Sequence, residues 1–399
     1  MPGLRLIPPS RPVYRKLAVL TEGTRDIYRN KTALGLLRFR PEDVVCVIDA
    51  KHAGQDLQQL TGVGAGIPIV ATIMDAVRLG IDWLVIGVAT PGGYLPANLR
   101  PQVYEAIKNR IGVISGLHES VNGDPNLVAL SARYAVDLVN LRRLPDDENH
   151  VSTARARDTK AFRLLTVGTD ANIGKTTTAL ELERQLRAQG VAARYVPTGQ
   201  DGKLITGRGV CIDRVISNFA SGAVERLVCH EARSADLLVI EGQDSILSPP
   251  YSGVALALLH GSCPDAMVLC HAPSRTLHRH TDVPIPPLQQ YRQLYEAMLA
   301  PLHPGKVVAI SLNTMGLDEA EARKALVAAR AQTGLPAVDP VRNLDGGIEV
   351  LVAAVLAAAK GRLPAAAAQR AAAATGHRPA KAKAAHGKGG AKMAAKRKG

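Results

Sequence analysis

The chain has 399 residues and a formal net charge of +14, and 46% of its residues are hydrophobic while only 3% are aromatic. Such a length favours two domains, and such an apolar content is ample for two packed cores. The longest uninterrupted apolar stretch, Val350–Ala359, is too short to span a bilayer, which excludes a transmembrane protein. Cores poor in aromatic rings suit parallel α/β layers, whose aliphatic strands are buried on both faces.

The amino terminus and the cysteines indicate a cytoplasmic protein. Residues 1–16 contain prolines and basic residues but no apolar core of a secretory signal. The five cysteines are odd in number, scattered and without a Cys-x-x-Cys pair, so we expect reduced, mostly buried thiols. Cys229-His230 and Cys270-His271 are interpreted as strand neighbours that face opposite sides of a sheet, which argues against a metal or nucleophile role.

In the first half, apolar strands alternate with helical segments, which predicts a parallel sheet with right-handed crossovers. The predicted strands are Asp43–Asp49, Ile67–Val70, Trp83–Val88, Arg110–Ser115 and Ala135–Asn140, and the predicted helices are Thr72–Leu79 and Pro101–Asn109. Ligands on such sheets bind beyond the carboxyl ends of the strands. The loops at those ends are Asp49–Gly54, Ala89–Pro96, Ser115–Ser120 and Asn140–Arg143.

A polar stretch at Leu144–Lys160 marks the predicted domain boundary. We expect a Rossmann-like α/β domain over residues 1–150 and a P-loop NTPase-like α/β domain over residues 151–360. The second half has predicted strands at Arg163–Val167, Ala192–Val196, Ala235–Ile240, Ala266–Cys270 and Lys306–Leu312, and predicted helices at Thr177–Gln189, Asp318–Gln332 and Gly347–Ala359.

The positive charge is concentrated at the carboxyl end. Eleven Lys and Arg residues and no Asp or Glu lie between Lys360 and Gly399, which leaves about +3 for the rest of the chain. This Ala-, Lys- and Gly-rich segment lacks the apolar content to fold alone, so residues 361–399 are predicted to form a disordered tail. Such a tail is expected to bind nucleic acid weakly, without sequence preference and with strong salt dependence. A merely solubilising extension is the alternative.

The most informative segment is a phosphate-binding loop between the strand at Leu164–Val167 and the helical run at Thr177–Gln189. Main-chain N–H groups of such a loop and the start of the helix form an anion cradle, the lysine contacts phosphate oxygens, and the following hydroxyl can take a position on Mg²⁺. The first glycine lies one place earlier than the usual spacing requires. The residues predicted to hold the phosphates are Gly168, Thr169, Asp170, Ala171, Asn172, Ile173, Gly174, Lys175, Thr176 and Thr177.

An acidic residue ends a second apolar strand. Glu241 follows Ala235–Ile240, and Asp244 lies three residues further on. In phosphate-loop proteins an acid at a neighbouring strand end holds Mg²⁺ directly or through water, so Thr176 and Glu241 are the predicted metal site.

The loop sequence Gly168–Thr176, G-T-D-A-N-I-G-K-T, resembles that of dethiobiotin synthetase and its relatives, which have G-T-D-T-x-V-G-K-T and a Glu-Gly after the second strand. The shifted glycine fits that pattern. Ile310–Thr314 also resembles the strand whose terminal asparagine contacts adenine in that group, which implies an adenine contact for Asn313.

A wider resemblance runs from about Gly23 to Ala359. The chain is similar to the two-domain family represented by D-glutamate N-acetyltransferase, which implies transfer of an acetyl group from acetyl-CoA to D-glutamate or a related amino acid. Two departures lie after Glu241-Gly242-Gln243, where Asp244 replaces a glycine and Ser248 a histidine of the family pattern. The matching segments are Ile67–Val70, Leu84–Pro96, Val113–Glu119, Gly168–Thr176, Val239–Gln243, Pro250–Gly261 and Cys270–Arg275.

Acetylation of an amine needs a deprotonated amine, a polarised thioester carbonyl and a grip on the CoA phosphates. The candidate bases are His118, Glu119, His260 and His271. Arg275 is a candidate partner for the substrate carboxylate, because its planar fork matches that group. In this hypothesis Lys175 and the loop amides bind CoA phosphates and take no part in phosphoryl transfer.

Two other hypotheses remain open. The loop could bind MgATP in a ligase or kinase of the dethiobiotin synthetase type, with Lys175, Thr176 and Glu241 as catalytic residues. The chain could instead be a non-enzymatic nucleotide-binding module that its tail carries to nucleic acid. The enzyme hypotheses share a small-molecule substrate and no membrane partner. A homo-oligomer is expected, since large α/β enzymes commonly associate.

Overall fold

A computed structural model describes residues 14–21, 30–145 and 149–363. Of the predicted tail, residues 361–363 are described, and residues 364–399 lie outside the described residues. Within those three ranges, no helix is both long and apolar enough to cross a bilayer.

The first half forms a six-stranded parallel sheet. Its strand order, β3-β2-β1-β4-β5-β6, is the doubly wound Rossmann order. Its strands are Leu17–Leu20 (β1), Val44–Ile48 (β2), Ile69–Val70 (β3), Trp83–Ile86 (β4), Gly112–Ser115 (β5) and Leu138–Asn140 (β6). Its helices are Lys31–Phe39 (α1), Leu57–Thr61 (α2), Ile73–Arg78 (α3), Arg100–Lys108 (α4) and Pro125–Tyr134 (α5).

The second half forms another six-stranded parallel sheet, in the order β12-β11-β10-β7-β9-β8. Its strands are Phe162–Gly168 (β7), Ala193–Val196 (β8), Leu237–Ile240 (β9), Ala266–His271 (β10), Lys306–Leu312 (β11) and Ala337–Val338 (β12). Its helices are Lys175–Ala188 (α6), Gln200–Thr206 (α7), Ser217–Glu231 (α8), Ser252–Ser262 (α9), Leu288–Leu299 (α10), Glu319–Thr333 (α11) and Gly347–Ala358 (α12).

The predicted strands correspond to observed ones within a few residues. In the first half, the central strand β1 and the helix α1 were not predicted. β1 lies in the middle of its sheet, paired with β2 and β4, and it is only four residues long. Such a short apolar run gives a weak signal in the sequence.

The cysteines are free, and all but the half-buried Cys229 are buried. The expectation for one Cys-His pair was wrong, because Cys229-His230 lies within α8 rather than on a strand. Neighbours on a helix are separated by about 100° rather than facing opposite sides of a sheet. Cys270-His271 does close a strand, β10.

Contacts between α1 and the second half join the two sheets. Arg38 donates to Glu181 of α6 at 3.0 and 2.8 Å, and the hydroxyl of Thr32 donates to Asp201 of α7 at 2.5 Å. Leu204 of α7 packs within an apolar cluster formed by the first sheet and α1. The carboxyl ends of strands from both halves therefore border the same space.

Candidate functional site

The phosphate-binding loop occupies the turn between β7 and α6. Gly174 precedes α6 with φ 103°, in the region that favours glycine. The Lys175 side chain folds back over the loop, and its Nζ donates to the main-chain carbonyl of Asp170 at 2.6 Å. Burial lowers the pKa of Lys175, while nearby Asp244 acts in the opposite direction. The ammonium group therefore lies inside the loop, where a bound anion would restore its preference for the charged form.

Main-chain N–H groups of the loop are available to a ligand. Within the described residues, those of Ala171, Asn172, Ile173 and Gly174 bind no acceptor. The first N–H groups of α6 add to them, because the first turn of a helix has no intrahelical acceptors. Together with Lys175 they form the anion cradle that the sequence predicts.

Side chains beneath the loop hold it in place. Arg275 donates to the Asp170 carboxylate at 2.8 Å, and the main-chain N–H of Arg279 donates to the same oxygen at 3.0 Å. The Nδ1 of His271 lies 2.9 Å from the Thr169 hydroxyl. Burial, with Arg275 nearby, lowers the pKa of His271 to about 4, so its ring is neutral near pH 7. Arg275 and His271 both contact the loop.

Glu241 lies at the end of β9, as predicted, and its carboxylate is engaged by protein donors. The Thr176 hydroxyl donates to Oε1 at 2.6 Å, and the N–H groups of Thr198 and Gly199 donate to Oε2 at 2.9 and 3.1 Å. Burial raises the pKa of Glu241. Thr176 and Glu241, the two residues of the predicted metal site, are thus in direct contact, and the threonine oxygen keeps lone pairs for a cation.

Among the residues that the structure describes, no group of three or more His, Cys, Asp or Glu side chains is arranged to hold a metal ion. Asp244 is the extra carboxylate near the loop. It has φ 46°, which explains why a glycine suits this position, and burial raises its pKa.

The cradle opens into a cleft of about 950 Å³ between the two halves. The cleft is bordered by the start of α1, three strand-end loops of the first sheet, the phosphate-binding loop and the ends of β9 and β11. Asn313, at the end of β11, lines it together with Met315 and Val341. Three of the four predicted strand-end loops contribute, whereas Asp49 in the fourth pairs with His52 at 3.0 Å.

The structure separates the candidate bases. His118 lines the cleft and its side chain is 45% exposed. Glu119 accepts a hydrogen bond from the Leu95 N–H at 2.6 Å and pairs with Arg100. His260 lies on α9, and its Nε2 donates to the Met298 carbonyl at 3.0 Å. Of the four candidates, His118 is the one that lines the cleft.

Several cleft residues were not among the predicted site residues. Gln200, Asp201 and Gln243 follow β8 and β9, so their position at carboxyl strand ends could have identified them. Arg142 lies in a predicted strand-end loop but was not singled out. Asp213 comes from the turn Ile212–Arg214, which carries no recognisable signal in the sequence.

Family models match both halves of the chain. Residues 50–144 match "Domain of unknown function (DUF1611_N) Rossmann-like domain", and residues 150–352 match "Domain of unknown function (DUF1611_C) P-loop domain". The chain belongs to the DUF1611 family. The matches and the two parallel sheets confirm the prediction of a Rossmann-like α/β fold followed by a P-loop α/β fold.

Relatives and a solved structure extend along most of the chain. A protein of Pseudoalteromonas sp named D-glutamate N-acetyltransferase is 37% identical over 286 residues, which are 71% of this chain and 83% of that protein. One of the same name from Tritonibacter scottomollicae is 35% identical over 334 residues, covering 83% and 96%. The crystal structure of a DUF1611 family protein from Anabaena variabilis has a TM-score of 0.80 at 36% identity, covering 86% of this chain and 99% of that one.

Proposed function

We propose that this protein is an N-acetyltransferase that moves an acetyl group from acetyl-CoA to the amino group of D-glutamate or a related amino acid. Two relatives with that name, at 37% and 35% identity, support the assignment. The observation that carries it is that one cleft is lined by an anion cradle from the second half and by His118 from the first. The cradle binds the cofactor phosphates, and His118 supplies the base.

The cradle suits the phosphates of CoA. Lys175 and the loop amides face the diphosphate in this proposal, and an anion there needs no metal partner. Asn313 provides an amide at the cleft edge, and the half-exposed Met315 and Val341 provide apolar surface for a nucleoside base. When bound, acetyl-CoA supplies the thioester carbon that the amine attacks.

His118 is the base in this proposal. Burial and the nearby Arg142 guanidinium lower the pKa of His118, which keeps its ring neutral near pH 7 and able to accept a proton. The imidazole takes one proton from the substrate ammonium group. The free amine then forms the new C–N bond, the thioester C–S bond breaks, and the electron pair leaves with the CoA sulfur as thiolate. The nitrogen passes its second proton to that thiolate, which gives the neutral amide and the free CoA thiol, and His118 returns its own proton to solvent.

The contacts of Glu241 are compatible with this function and with an ATP-dependent ligase, and the name of the two relatives favours the transferase. A ligase of the dethiobiotin synthetase type needs Mg²⁺ on the loop hydroxyl and a neighbouring acid. Here the Thr176 hydroxyl and Glu241 bind each other at 2.6 Å, and the other carboxylate oxygen is held by two main-chain N–H groups. The carboxylate thus braces the start of α6 against the end of β8.

The test is a thiol-release assay with acetyl-CoA and D-glutamate, in EDTA and separately with ATP and Mg²⁺. We expect free thiol and N-acetylglutamate to form in EDTA, and less of both when L-glutamate replaces D-glutamate. Strict dependence on ATP, with phosphate release, would establish the ligase instead. Equal rates with both enantiomers would retain the acetyltransferase but remove the D-specific substrate.

A further inference from the structure

A chain of contacts links Arg142, Asp213 and His118 across the cleft. Arg142 follows β6 in the first half, and Asp213 lies in the turn Ile212–Arg214 of the second half. The Nε of Arg142 donates to the Gly116 carbonyl at 2.7 Å, and its NH1 pairs with Oδ2 of Asp213. That same Oδ2 lies 3.7 Å from Nε2 of His118. One carboxylate oxygen thus faces both a guanidinium and the imidazole.

Arg142 is buried, whereas Asp213 and His118 are accessible from the cleft. The Arg142 side chain is only 7% exposed, so its position is fixed by the protein. Asp213 and His118 are 31% and 45% exposed and border the open cleft. Gly116 lies two residues before His118, so Arg142 also fixes the strand-end loop that carries the histidine.

We propose that Arg142 and Asp213 are positioning residues that set the proton affinity of His118 for the acetyl transfer. This inference rests on the proposed function, in which His118 is the base. Asp213 stabilises the imidazolium that forms when His118 takes the amine proton. Burial and Arg142, which offsets negative charge on that carboxylate, keep the resting imidazole neutral and ready to accept a proton.

The charges around His118 agree with this balance. Burial lowers the pKa of His118 most, Arg142 lowers it further, and Asp213 raises it. Arg214 and Lys31 also lower it. Lys31 is paired with Asp201 at 3.3 Å. The carboxylate that faces the His118 ring is that of Asp213.

The proposal makes the two partners act in opposite directions. Loss of the carboxylate in Asp213→Asn removes a stabiliser of the imidazolium, so the pKa of His118 falls and the acid limb of kcat/KM moves to lower pH. Loss of the guanidinium in Arg142→Gln exposes the full charge of Asp213, so the acid limb moves to higher pH. We expect shifts of about 0.5 to 1 pH unit, since the site is partly solvated.

The experiment measures the pH profile of kcat/KM together with the titration of the His118 ring by NMR on protein labelled at histidine. Arg142→Lys keeps the positive charge and should return the limb toward the wild-type position. Asp82→Asn is the matched control. Asp82 is an exposed carboxylate at the amino end of β4, away from the cleft, and it is paired with Lys16 at 3.6 Å. It should leave both readouts unchanged.

The outcomes separate this inference from the proposed function. Active Asp213→Asn enzyme with an unmoved limb and an unmoved ring titration would overturn the inference and leave the acetyltransferase standing. A ring titration that shifts as expected in a protein without acetyl transfer would support the electrostatic coupling and reject its role in that reaction. If Arg142→Gln fails to fold, Asp213→Asn still decides the case, because an acid limb that stays at the wild-type pH in the active variant contradicts the proposal.

Discussion

Single residues show how the phosphate-binding loop is organised. Lys175 is 6% exposed and donates to the Asp170 carbonyl, while Asp170 itself is held by Arg275. The positive charge is thus kept within reach of the free main-chain N–H groups. A phosphate entering the cradle takes the place of the Asp170 carbonyl as the acceptor of the lysine.

Replacing Lys175 tests the cradle directly. We expect Lys175→Ala to weaken binding of acetyl-CoA by about 1.5–3 kcal/mol, because a charge-assisted contact is lost. In the wild type, affinity should also fall as pH rises through the lowered pKa of Lys175, since the cation is lost on that side, and the variant should lose this dependence. Calorimetric titration measures both. Lys108→Ala, which removes an exposed lysine paired with Glu105, is the control, and equal affinities for the two variants would contradict the cradle.

Replacing Arg275 tests whether this side chain contacts the loop or the substrate. The sequence suggests that it binds the substrate carboxylate, whereas the structure shows it 16% exposed and paired with Asp170 at 2.8 Å. We expect Arg275→Ala to leave the buried Asp170 carboxylate with one fewer donor, lowering thermal stability and acetyl-CoA affinity together. Steady-state kinetics with each substrate varied would show the effect on the KM for acetyl-CoA. An increase confined to the KM for the amino acid would restore the substrate role.

At the scale of elements, the parallel strands could be read from apolar runs bounded by turn residues, since burial on both faces gives continuous Val, Leu and Ile segments. The exceptions are the two-residue end strand β12 and the central β1, whose four residues Leu17–Leu20 pair with strands on both sides. The importance of β1 comes from its central position, which is a property of the topology and not of its own sequence.

Truncating β1 should therefore be costly. Leu20 is 1% exposed and pairs with Ile48 and Ile86. We expect Leu20→Ala to reduce the free energy of unfolding by about 2–5 kcal/mol, through lost burial and the cavity left behind. Urea denaturation followed by fluorescence of Trp83, the single tryptophan, reports on this sheet. Leu79→Ala, at a position 47% exposed, should change the midpoint little, and a similar midpoint for both variants would show that β1 is dispensable.

At the scale of the whole molecule, the cleft depends on how the halves are joined. Arg38 of α1 pairs with the nearly buried Glu181 of α6 at 2.8 Å. We expect Arg38→Ala to lower the melting temperature by a few °C, on the order of 1–3 kcal/mol, because Glu181 loses a donor. Scanning calorimetry measures the change. Arg78→Ala removes an arginine from an exposed pair with Asp75 and should have almost no effect, so equal shifts would argue against a special role for the joint.

The basic tail gives a second prediction at this scale. Deleting residues 364–399, which lie outside the described residues, should preserve acetyl transfer and abolish retention of DNA in a gel-shift assay at low salt. The reason is that most of the excess positive charge is placed there. Retention of DNA by the truncated protein would place the nucleic-acid contacts in the folded part.

The sequence by itself determined the two α/β folds, the phosphate-binding loop and the acidic end of β9, because each is local: a strand, a turn and a helix start, contiguous in the chain. Only the tertiary structure decided which side chains meet. It separated His118, in the cleft, from His260 and His271, and it brought Asp213 to Arg142 across 71 positions of sequence. Contacts of that kind depend on how two sheets are packed together, and no local pattern of residues encodes them.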